Sequence, residues 1–190
     1  MALILHINFW EQGQAIERAC QMAGELGVDG IEFRSRPGKL ELDEYLDRIA
    51  AAYEKVGLSS IHFGGGPALH HSESHARETA VENFLRFYEE AIKRFQLTVC
   101  TLQTDWLENN DEPYDHYECH GSVLATEEML HWQIEGLERI ASFAFENGFR
   151  FGLETHQAYI HDLPHATMRL VRAVNSPSLG VAFDYGNIIG

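Results

Sequence analysis

Two apolar runs in the C-terminal half of the chain close on carboxylates: FRFGLETH ends in Glu154, Thr155 and His156, and LGVAFDYG carries Asp184. Both have the composition of strands buried on two faces, where a charged oxygen is costly unless something pairs with it. If the runs are adjacent strands of a parallel sheet, their C-terminal ends lie within about 5 Å of each other. Two ionised carboxylates at that distance repel, so one takes up a proton or a cation sits between them. Oxygen ligands from two carboxylates plus a nearby imidazole suit Mg²⁺, Mn²⁺, Co²⁺ or Zn²⁺, and His156, two residues past Glu154, is a candidate for contacting substrate. Glu154 and Asp184 are therefore the candidate metal ligands. The plainer alternative is that one of them caps the following helix or pairs with a Lys or Arg.

All of the histidines except His131 fall in strand ends or just after them. In a parallel α/β fold those positions share one face, the face on which such enzymes place their sites. His6 and His62 occupy comparable places in the first and third runs and are candidates for hydrogen bonding to substrate, against the alternative of satisfied core histidines. Trp10 and Trp106 follow strand ends on the same face, where rings can stack on a sugar or simply pack a loop. His70, His71, His75, His161 and His165 read as solvated loop residues. His116, Cys119 and His120 lie too close together in one loop, without a second pair, to make a tetrahedral zinc site.

The elements that must position these residues alternate. Six short apolar runs, ALILHINF, VDGIEFR, LSSIHFG, LTVCTLQT, FRFGLETH and LGVAFDYG, are separated by segments of helical period near residues 13 to 26, 42 to 56, 73 to 95, 123 to 147 and 162 to 175. Gly27, Gly57 and Gly148 stand where helix C-caps belong. A repeated β-α order predicts parallel strands joined by right-handed crossovers. No GxGxxG follows the first run, which favours a (β/α) barrel over a dinucleotide-binding sheet. A complete barrel takes about 250 residues, so 190 residues predict an incomplete TIM-type α/β barrel with about six of eight strands, in one domain over residues 1–190. The irregular stretch from 105 to 122 is long enough to be a functional lid or a disordered excursion.

Hydrophobic residues at 45% and charged residues at 23% are the proportions of a chain that folds. A net charge of −15 repels phosphate backbones and anionic lipid, which argues against nucleic acid and membrane partners. The N-terminus has neither the basic region of a signal peptide nor the length of a membrane span. Three cysteines without CxxC spacing imply no disulfide framework, and a cytoplasmic location is expected.

The stretches GVDGIEF, GFRFGLETH and LGVAFDYGN resemble the xylose isomerase-like TIM-barrel superfamily of sugar (phosphate) isomerases and epimerases. The resemblance implies a divalent metal held by a Glu closing the fifth strand and an Asp closing the sixth, which here are Glu154 and Asp184. It also implies a His and a Glu from two further strands, for which this sequence has no counterpart. It implies a sugar or related polyhydroxy carbonyl substrate, a metal-stabilised enediolate, and Glu154 as one half of an acid/base pair. Several members carry a substrate-contacting His three residues after the Asp; here that place is Asn187, a departure from the pattern. A metal-dependent lyase of the inosose dehydratase kind shares the same implied site. Six strands with open edges would also suit a non-catalytic barrel or a homo-oligomer.

Overall fold

The computed structural model describes residues 2–6 and 15–188. Among these described residues six strands alternate with five α-helices in chain order: β1 (Ile4–His6), α1 (Ile16–Leu26), β2 (Gly30–Arg34), α2 (Leu42–Val56), β3 (Ser60–Gly65), α3 (Ser74–Ala91), β4 (Val99–Leu102), α4 (Glu127–Glu146), β5 (Arg150–Glu154), α5 (Pro164–Val174) and β6 (Leu179–Ala182). This is the parallel α/β pattern of an incomplete TIM-type barrel. The chain divides into two compact units, Met1–Gly64 with Arg86–Thr98, and Gly65–Leu85 with Val99–Gly190. No described helix is long and apolar enough to cross a membrane.

In the first unit β1, β2 and β3 pair in parallel, with His6 opposite Glu32 and Glu32 opposite His62. Gly30 permits the close approach of β2 and β3, because a Cβ there would lie 2.0 Å from the Ser60 carbonyl oxygen. Small residues of α1 (Ala19, Cys20, Ala23) and larger ones of α2 (Tyr45, Leu46, Ile49) are buried together with Ile31, Phe33, Ile61 and Phe63. Both helices end as their sequences predict, on Gly27 at φ 68° and Gly57 at φ 77°. Burial and the negative charge of Glu17 push the Cys20 thiol up to about 12, so this cysteine is a small apolar core residue. The Phe63 ring packs edge-on against Phe87 at 5.0 Å, and the guanidinium of Arg94 gathers Asp43 at 2.9 Å and Asp47 at 2.7 Å.

In the second unit β4, β5 and β6 pair in parallel, Leu102 opposite Leu153 and Glu154 opposite Ala182. Leu102, Phe151, Leu153 and Leu179 meet the apolar face of α4 (Leu137, Ile140, Ala141, Ala144) and Leu170 of α5 in a buried core. The Thr126 hydroxyl caps α4 by accepting from the Met129 N–H at 3.1 Å. Thr126→Ala is expected to cost about 1 kcal/mol in urea denaturation, the usual worth of a lost N-cap.

Two expectations change. The sixth run is read from sequence as a strand through Gly186, yet β6 ends at Ala182. The Asp184 N–H donates to the Thr155 hydroxyl at 2.9 Å, and the Gly186 N–H turns back onto Asp184 Oδ1 at 2.8 Å, which bends the chain out of the sheet. The stretch from 105 to 122 is not a disordered excursion. It contains a 3₁₀ turn at Tyr117–Cys119, runs into a second at Gly121–Leu124, and is fastened at both ends to the segment after β5. Leu107 N–H donates to Ala158 O at 2.8 Å, Ile160 N–H to Asp105 O at 2.9 Å, and Trp106 and Tyr159 form an antiparallel bridge.

Candidate functional site

Glu154 is the last residue of β5 and is only 8% exposed. Its carboxylate is held from two sides by amides. Gln103, the residue after β4, donates Nε2 to Oε2 at 2.6 Å, and Asn187, beyond β6, donates Nδ2 to Oε1 at 2.9 Å. The same Asn187 nitrogen donates to Asp184 Oδ2 at 3.0 Å. One side-chain nitrogen therefore joins the two carboxylates. Thr155 sets the position of Asp184: its backbone N–H continues the sheet by donating to Ala182 O at 3.0 Å, while its hydroxyl accepts from the Asp184 N–H. The sequence Glu-Thr-His at the end of β5 thus places one carboxylate and fixes the backbone that carries the other.

Behind Glu154 stands His161, fully buried and not the solvated loop residue read from sequence. Its Nδ1 donates to the Glu154 carbonyl at 2.6 Å and its Nε2 accepts from the Thr104 N–H at 3.0 Å. Those two bonds fix a neutral tautomer. Burial, the largest influence, brings its pKa down to about 4 despite the opposing pull of the Glu154 carbonyl. The imidazole is a strut between the end of β5 and the residue that follows Gln103, so it positions both partners of the Glu154–Gln103 bond.

Among the described residues no three His, Cys, Asp or Glu side chains are grouped as a metal site. The donors that are present still suit a hard cation. Two carboxylates converge on one nitrogen-sized position, and carboxylate oxygens are the ligand class preferred by Mg²⁺ and Mn²⁺. The choice between a proton and a cation, drawn from the sequence, omitted a third arrangement. Neutral amide N–H groups donate to both carboxylates and moderate their repulsion.

The other predicted residues are distributed more widely. His156 is half-buried, donates Nδ1 to Gln157 O at 3.0 Å and packs edge-on against Tyr159. Trp106 is 38% exposed, stacks on Tyr114 with ring centroids 5.5 Å apart, and meets Tyr159 edge-on at 5.4 Å. Trp10 lies outside the described residues. His6 and His62 belong to the first unit and flank Glu32 at one level of the sheet. His6 Nδ1 is 2.7 Å from Glu32 Oε1, and burial pushes the His62 pKa down although the Glu32 charge pulls it up.

Sequence reasoning missed Glu32, Gln103, Asp105 and His161. Glu32 had a local signal, a carboxylate in the middle of the apolar run GIEFR. The others have none, since each acts through a partner far along the chain. Asp105 is buried and accepts from the Leu69 N–H at 2.8 and 2.9 Å, from His70 Nδ1 at 2.6 Å, and from the Gln133 side-chain amide. His70 is thereby tied down as well. Both ring nitrogens of His120 are engaged, Nδ1 accepting from Asn109 N–H and Nε2 donating to Pro113 O, each at 3.0 Å.

Residues 20–190 match the family described as xylose isomerase-like TIM barrel. No curated protein matches the sequence. Among solved structures, a D-psicose 3-epimerase studied in the presence of D-fructose superposes with a TM-score of 0.75 at 17% identity, over 97% of this chain and 63% of its own. The D-psicose 3-epimerase of Clostridium cellulolyticum H10, solved with D-tagatose, gives 0.71 at 17% identity over 97% and 63%. A probable 3-DHS dehydratase, AsbF of Bacillus anthracis, involved in petrobactin synthesis, gives 0.69 at 18% identity over 99% and 64%. These likenesses concern the fold. The chain spans less than two thirds of the length of each.

Proposed function

This chain belongs to the xylose isomerase-like TIM-barrel family, and from that premise we propose that it serves a metal-dependent isomerisation or epimerisation of a sugar or related polyhydroxy carbonyl compound. The observation that carries the reading is the single Asn187 nitrogen hydrogen-bonded to both Glu154 and Asp184, at 2.9 and 3.0 Å. Glu154 and Asp184 would hold the cation. Once bound, a divalent ion supplies Lewis-acid polarisation of the substrate's carbonyl and adjacent hydroxyl oxygens.

The chain's own residues supply the rest. Glu154 accepts a proton from the carbon next to the carbonyl, or returns one, as half of an acid/base pair. Gln103, at 2.6 Å, orients the Glu154 carboxylate, and His161 anchors the backbone beneath it. In the second unit Trp106, His156 and Asn187 are proposed as substrate contacts, the ring covering an apolar face and the polar groups meeting hydroxyls, while His6, His62 and Trp10 keep that role as expectations from the sequence alone. The chain spans 63% of the length of the psicose epimerases it matches, and the roles proposed for its own residues are cation binding and one proton transfer.

Calorimetric titration with Mn²⁺ tests the assignment. The native sequence is expected to bind with measurable heat, and Asp184→Ala to weaken binding by at least about tenfold, equivalent to roughly 1.4 kcal/mol. Equal heats from the two proteins would remove the reading.

A further inference from the structure

Within the second unit, between the stretch from 105 to 122 and the segment after β5, lies a cavity of about 380 Å³. That is the size of a small-molecule site. Its walls are fixed. Gly121 N–H donates to Leu107 O at 2.8 Å, and Asp162 clamps the facing segment by accepting from the Ser122 N–H at 3.0 Å and the Leu163 N–H at 2.7 Å. Gly121, at φ 72°, is required there, since a Cβ would come within 2.2 Å of Asp162 Oδ2. The cavity also adjoins the carboxylate pair, because Asn187 both lines it and donates to Glu154 and Asp184.

The lining has one sign of charge. Asp115, Glu118 and Asp162 contribute carboxylates, and the described lining residues include no Lys or Arg. A phosphate or carboxylate entering the cavity would face the exposed Asp115 and Glu118 and the buried Asp162 with no counter-charge from the lining. Hydroxyl groups meet the opposite situation. Carboxylate acceptors, the Ser122 hydroxyl and the Gln157 amide offer them partners, beside the ring of Tyr117.

We propose that this cavity is a specificity pocket that takes the uncharged, hydroxyl-bearing tail of the substrate and rejects tails carrying phosphate or carboxylate. The inference rests on the reading of Glu154 and Asp184 as the reacting end. It selects free sugars over sugar phosphates and over sugar acids.

Titration of the isotope-labelled 190-residue chain with D-fructose, D-fructose 6-phosphate and D-gluconate, followed by amide NMR, tests it. Fructose is expected to shift the amides of residues 117–123 and 157. The two anions should shift them at least tenfold more weakly, and Asp115→Lys with Glu118→Lys should narrow that ratio. Phosphate ester acting as strongly as fructose, or no shift with any probe, overturns the proposal. Mn²⁺ added to the same samples separates the two readings. Broadening around Glu154 and Asp184 without sugar shifts retains the metal site and removes the pocket, whereas sugar shifts without broadening do the reverse.

Discussion

Replacing Asp105 by Ala is expected to destabilise the protein by about 3 kcal/mol, the upper end of the cost of leaving buried hydrogen-bond donors without their acceptor. The carboxylate is fully buried and takes hydrogen bonds from the Leu69 backbone, from His70 and from Gln133. Gln133 makes the loss worse. It is 0% exposed and its Oε1 has no partner among the described residues, so Asp105 is the acceptor on which that buried amide depends. Asp105→Asn preserves the volume but exchanges one acceptor for a donor, and roughly half the penalty is expected. Urea denaturation at neutral pH measures both. A change below about 1 kcal/mol for the Ala variant would show that the carboxylate anchors nothing.

The second large effect is on acid stability. His161 has a folded pKa of about 4 against a usual 6.5, because burial disfavours its charged form. The unfolded chain therefore takes up this proton first as pH falls. Stability from this group is complete above about pH 6.5, declines through the interval down to about 4, and by then has fallen by roughly 3 kcal/mol. Carboxylates that protonate over the same range add their own dependence, so the informative quantity is a difference. His161→Gln should be less stable than the native sequence at pH 7 and should show a flatter profile between pH 6.5 and 4. Parallel profiles would sink the assignment of His161 as a buried neutral strut.

The order of elements was legible because each carries a local signature. Short β-branched and aromatic runs gave the strands, apolar stripes of helical period gave the helices, and Gly27 and Gly57 marked helix ends through the positive φ they tolerate. Glu154 was legible for a related reason, since a carboxylate closing an apolar strand is visible within a few residues. Asn187 and Asp184 were named, but the bond between them was not, because the bend at Asp184 that ends β6 four residues earlier than read depends on the Thr155 hydroxyl, 29 residues away. Gln103 and His161 were invisible for the same physical reason. Their significance lies in pairings across 51 and 57 residues, and no local propensity encodes such partners. Asp105 shows the limit most plainly, being an acid in a polar loop sequence that nevertheless became the most heavily used buried acceptor described above.

The stretch from 105 to 122 is lashed down at Leu107 and Gly121 but mostly exposed between them, from Glu108 to Cys119. Fixed anchors with a solvated tip separate two kinds of mutational cost. Changes between the anchors remodel what the enclosed space accepts at little expense in folding, whereas changes at the anchors unseat both segments together. If the enclosed space is the specificity pocket proposed above, diversification toward new substrates has a ready route through about a dozen tip residues, leaving the carboxylates and their amide partners untouched.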